Sequence, residues 1–132
     1  MLGDVRFIHQ HAVAIYCAQH AGENTHPISV AFALIGLYLT YERDYTGWQV
    51  QHMHILLAQR CKVWTRFVPI RRADAITIAD VLRAQPGAMR GAALFDWGQS
   101  VWDSWREEHG RVRAFFDRVL GNDESDTRKH AR

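Results

Sequence analysis

Eight histidines occur in this chain of 132 residues, and the densest chemistry lies near its start. The run is His9-Gln-His-Ala-Val13-Ala-Ile-Tyr16-Cys-Ala-Gln19-His20. An imidazole titrates near neutral pH, so such a group can exchange a proton, accept a hydrogen bond or ligate a metal. At about 100° per helical residue, Leu2, Val5, Ile8, Ala12, Val13 and Ile15 share one broad arc. His9, Tyr16, Gln19 and His20 fall inside that arc. Polar groups turned toward a core need partners, because an unpaired one costs roughly 1–3 kcal/mol. These four are therefore either a structural network or a binding site, and the sequence leaves both open.

Spacing weighs against a metal. Helical ligand pairs sit three or four residues apart, as in HExxH, and no two histidines here have that separation. His9 and His20 share a face but stand about 16 Å apart along a helix axis, far beyond a Zn–N bond of about 2 Å. His52 and His54 point about 200° apart. What survives is Tyr16, Cys17, Gln19 and His20, with His109 arriving from the last helix. Two histidines completed by Cys17 or a water would resemble the metal-dependent bundles of the DinB-like type. A hydrogen-bonded structural cluster is the simpler expectation. Cys17 has His20 one turn away, but no carboxylate follows to orient that base, which disfavours a nucleophilic cysteine.

Trp97, Trp102 and Trp105, with Phe115 and Phe116, recur at helical spacing and read as core. A pocket walled by Trp102 and Trp105 and closed by His109 is the cavity this pattern suggests. Arg60, Lys62, Arg66, Arg71 and Arg72 form a basic run, yet Trp64 and Phe67 belong to the buried stripe while Lys62 and Arg66 lie opposite. That is a solvated helix surface. Neither GxxxxGK[ST] nor GxGxxG occurs, so nucleotide-cradling loops are not expected.

The elements that must position these groups are all helical. A first helix runs from Leu2 to about Ala21, with Gly22 at its end. Pro27 opens a second helix reaching about Arg43, apolar nearly all round and therefore central. Gly36 in its middle lets a neighbour approach. Thr46 caps a third helix expected to reach Phe67, before Pro69. Thr77-Ile-Ala-Asp80 resembles a capping box and opens a short helix ending near Gln85. From Met89 to Leu120, Leu94, Trp97, Val101, Trp102, Trp105, Val112, Phe115, Phe116 and Val119 fall on one arc that stays in phase across Gly110. One long or gently kinked helix is expected there. The expected fold is all-α, a bundle of four principal helices plus one short helix, as a single domain over 1–120 with a disordered tail over 121–132.

Composition fits that picture. The chain is 48% hydrophobic and 23% charged, with a formal net charge of +2. This is enough apolar material for a core and too little positive charge for a dedicated nucleic-acid binder. Its longest apolar stretch, Ile28 to Leu39, is well short of the ~20 residues that span a bilayer. Cys17 and Cys61 form no CxxC and read as reduced thiols in a cytoplasmic protein.

The series His9-x3-Val13-x2-Tyr16-x2-Gln19-His20, followed by Ser29-Val-Ala-Phe-Ala-Leu-Ile-Gly-Leu37, resembles a bacterial domain-of-unknown-function family of small helical proteins. The likeness continues in Ile76-Thr-Ile-Ala-Asp-Val81 and in Trp97-Gly-Gln-Ser-Val-Trp102-Asp-Ser-Trp105-x3-His109. It implies a helical fold and supports the choice of residues, and supplies no reaction. Two positions depart from the family pattern: Ala14 stands in place of Asp, and Ala33 in place of His. The Cys-rich segment that often precedes the motif is absent.

The leading expectation is a small bacterial protein whose His9, Tyr16, Gln19, His20, Trp102, Trp105 and His109 form a small-molecule site. The alternatives are a homodimeric interaction module with a structural polar cluster, and a metal-dependent enzyme. The sequence designates no catalytic residue, cofactor or resident metal.

Overall fold

A computed structural model describes residues 2–22, 24–68 and 88–121, with side chains over 10–22, 24–68 and 93–121. The described chain is all-α. It comprises α1 (Leu2–Gln19), α2 (Pro27–Tyr41), α3 (Gly47–Arg60), α4 (Ala88–Ser104), a 3₁₀ turn (Arg106–Glu108) and α5 (His109–Leu120). The expected short helix near Thr77 and the residues beyond Gly121 lie outside the described residues.

α2 is the axle of the bundle. Nearly every residue from Val30 to Leu39 is buried, and the helix packs against α1, α3, α4 and α5. A helix apolar on all sides is stable only when covered on all sides. His26 caps it, its Nδ1 accepting from Ile28 N at 3.2 Å, and Pro27 occupies the first turn. After Tyr41 the chain turns through Asp44 at φ 57°, while Tyr45 N donates to Leu39 O at 2.9 Å. Aspartate enters this left-handed region more readily than most side chains. Thr46 then opens α3 with a reciprocal capping box: Gln49 N donates to Thr46 Oγ1 at 3.2 Å, and Thr46 N donates to Gln49 Oε1 at 2.8 Å.

Two elements differ from the sequence reading. The third helix stops at Arg60 instead of Phe67, and Cys61–Val68 runs on without helix. α5 and the 3₁₀ turn before it supply partners for this backbone. Arg118 donates to Val63 O at 2.9 Å, Arg111 to Arg66 O at 3.0 Å, and Glu108 accepts from Val68 N at 2.7 Å. Val63 is 70% exposed, while Phe67 is buried edge-on to Phe115 with ring centroids 5.8 Å apart.

The expected last long helix is two. Its apolar stripe is buried as read, with Val119 only partly so, but the axis breaks at Trp105 (φ −96°, ψ 16°) and not at Gly110. The 3₁₀ turn tightens the chain through Trp105 N to Trp102 O and Glu108 N to Trp105 O. Glu108, 7% exposed, anchors the break by accepting from both Arg111 and Val68 N. Cys17 and Cys61 are free thiols. Among the described residues, no helix is long and apolar enough to cross a membrane.

Candidate functional site

Among the described residues of α1, one narrow face turns to the core. His11, Ile15 and Ala18 are 5%, 0% and 2% exposed. The buried face overlaps the expected arc at Ile15 but leaves Val13 and Tyr16 55% and 49% exposed.

The buried imidazole is consequently His11, which the sequence reading passed over. Its Nε2 lies 2.9 Å from the Tyr41 hydroxyl, which donates to the Phe95 carbonyl at 2.9 Å. A carbonyl only accepts, so the hydroxyl must receive its own bond from His11 Nε2–H. Burial lowers the His11 pKa to about 4. Burial, and secondly the charge of Asp96, raise that of Tyr41, keeping it a hydroxyl. Gly98 makes the arrangement possible, since a Cβ there would overlap the Tyr41 hydroxyl and stand 2.9 Å from Ile15 Cδ1.

The residues anticipated as a single site fall into separate groups. Gln19 Oε1 accepts from Trp97 Nε1 at 3.0 Å, joining α1 to α4. Trp105 Nε1 donates to Ala18 O at 3.1 Å. Trp102 donates from Nε1 to Glu42 Oε2 at 3.1 Å, and its ring stacks on His109 at 3.8 Å and 11°. His109 donates Nε2–H to Trp102 O at 2.8 Å and sets Nδ1 3.5 Å from Glu42 Oε2. Arg113 Nε completes the group at 3.1 Å from Glu42 Oε1. Rings stacked at van der Waals distance leave no room between them for a ligand. Tyr16 and His20 are exposed, and their rings meet at a tilt of 40° with centroids 4.3 Å apart. Among the described residues nothing joins His20 to His109. His9 lies on α1, and its side chain is outside the described set. Nor do any three His, Cys, Asp or Glu side chains among the described residues gather as a metal ion requires.

A groove of about 630 Å³ opens between α1, α2 and α3. α1 contributes Val13, Ala14 and Cys17; α2 contributes Phe32 and Ala33; α3 contributes His54, Ile55 and Ala58. Gln10, Ser29 and Gln51 supply the remaining polar groups. Ala14 of α1 and Ala33 of α2 both line it. Their small side chains leave the groove open and apolar at these two positions.

His54 is its best-defined polar group. Nε2 lies 2.9 Å from Phe32 O, so Nε2 carries the proton, and the ring meets Phe32 edge-on with centroids 5.4 Å apart. Burial lowers its pKa, opposed in part by the Phe32 bond. Gly36 provides the close approach its position suggested: a Cβ there would stand 3.2 Å from His54 Cε1. Cys17 Sγ lies 3.7 Å from Ser29 O, and burial raises its pKa, holding it as a thiol. His52, two residues from His54, stacks on Trp48 with centroids 5.4 Å apart, away from this group. The sequence carried no clear clue to the groove, since Val13 read as part of the core-facing arc and is 55% exposed.

Residues 3–106 match the model of DUF5946, a family of unknown function. The chain belongs to this family. The DUF5946 match takes in α1 to α4 and every named residue of the groove, and ends before His109 and α5. No curated protein and no solved structure matches the chain.

Proposed function

We propose that this DUF5946 protein binds a small apolar molecule in the α1–α2–α3 groove. The observation that carries the reading is the groove's size and chemistry together. Ligand sites are concave, run to roughly 300–1,000 Å³, and are mostly apolar with a few placed polar groups. A volume of about 630 Å³ walled by Val13, Phe32, Ala33 and Ile55, with His54 and Cys17 among them, meets each condition. By contrast Gln19, Trp102, Trp105 and His109 spend their polar atoms on bonds between helices. In this reading they hold the bundle that shapes the groove, and the free thiols accord with a cytoplasmic setting.

A second copy of the chain is the competing occupant, because Val13 and Ile55 leave 55% and 50% of their surface exposed at the groove. The test is a titration with Nile red, an uncharged dye that brightens in apolar surroundings. The wild type gives saturable one-site binding without change in sedimentation. Ala14→Phe, which fills the groove from a half-buried position, abolishes it. Failure of a folded wild-type protein to bind, or equal binding by Ala14→Phe, contradicts the reading. Self-association that Ala14→Phe removes would assign the groove to a second copy.

A further inference from the structure

The chemistry of the groove narrows what it can hold. Among the described residues none that lines it is Asp, Glu, Lys or Arg. An ion seated there would lose hydration and gain no counter-charge, which is strongly unfavourable. The polar groups between the helices also have a definite sense. His54 Nε2–H is committed to the Phe32 carbonyl, and Nδ1 makes no hydrogen bond among the described residues. With one ring nitrogen protonated in a neutral imidazole, the other presents a lone pair. Burial favours that neutral form. Cys17 directs its S–H toward Ser29 O, and its sulfur is left as a weak acceptor. Both groups therefore call for a donor on the ligand. Gln10, Ser29 and Gln51 can donate or accept and so do not select.

We infer that the groove takes an uncharged ligand with an apolar body and a hydroxyl or N–H group, which donates to Nδ1 of His54. The inference rests on the groove being a ligand site and specifies the class of compound it receives. His54 is the specificity-determining residue, its tautomer fixed by α2.

Three probes of one shape test it: 1-naphthol, naphthalene and 1-naphthoate, titrated against the full chain near neutral pH. The wild type binds 1-naphthol roughly 5-fold tighter than naphthalene, the effect of one net hydrogen bond, and 1-naphthoate more weakly than either. Binding of 1-naphthol moves the Nδ1 nitrogen resonance of His54, and binding of naphthalene leaves it in place. His54→Leu retains naphthalene and loses the preference for 1-naphthol. The wild-type nitrogen shift answers the question even if that variant does not fold. Tight binding of 1-naphthoate, or a preference for 1-naphthol with no response at His54, overturns the assigned class while the groove stands. Absence of binding by all three overturns the groove as well.

Discussion

His11 couples the docking of α1 to pH. Its folded pKa is near 4 against an ordinary value of 6.5, so the folded protein holds it neutral where the unfolded chain would protonate it. Stability from this site is fully present above pH 6.5 and is lost as pH falls toward 4. At about 1.4 kcal/mol per pKa unit the loss approaches ~3 kcal/mol. His54, lowered in the same direction, adds to it. Denaturant melts between pH 7 and 4 should show this decline, and His11→Gln should flatten it; an unchanged slope would remove His11 as a cause. At Gly98, alanine should gain about 1 kcal/mol of helix propensity but lose roughly 1–3 kcal/mol to overpacking against Tyr41 and Ile15. A lower melting temperature is expected, and a higher one would contradict the packing described. Neither residue stood out in the sequence. Hydropathy drew attention to Val13, whereas the described side chains that α1 buries are His11, Ile15 and Ala18, one of them polar and one too small to weigh in a hydropathy pattern. Gly36 was readable because a glycine within a buried helix already implies a close neighbour.

At the scale of elements, α2 and its opening proline, the Thr46 cap and the stripe of α4 and α5 could be read from periodicity and terminal residues. The end of α3 and the break after Ser104 could not. Both depend on bonds between segments distant in the chain, with Glu108 at the junction. One carboxylate accepts from Val68 N and from Arg111, and Arg111 also donates to Arg66 O. Glu108→Ala removes the acceptor of the Val68 N–H at an exposed residue, where water can take its place, a loss of roughly 0.5–1.5 kcal/mol. Faster amide exchange is expected at Val68, with α2 protected as before. If α2 loosened equally, the junction would be part of the core's cooperative unit and not a local tether. Glu42 plays a related part where α2 ends, gathering Trp102, Arg113 and His109.

For the whole molecule, a central α2 divides the polar groups of α1 between two sides. One side carries Gln19 and its bond to Trp97; the other opens the groove with Cys17 and His54. Helical phase alone could not bring His54 of α3 opposite Ala14 of α1, since that depends on how three helices pack. The sequence thus supplied the fold class and the importance of the first two helices, and packing moved the proposed site. The most direct test maps 1-naphthol binding by amide and imidazole chemical shifts across the chain. The account predicts the largest changes at Ala14, Cys17, Ala33 and His54, with Trp102 and His109 unmoved. Changes centred on Trp102, Trp105 and His109, with the α1–α2–α3 groove silent, would contradict it.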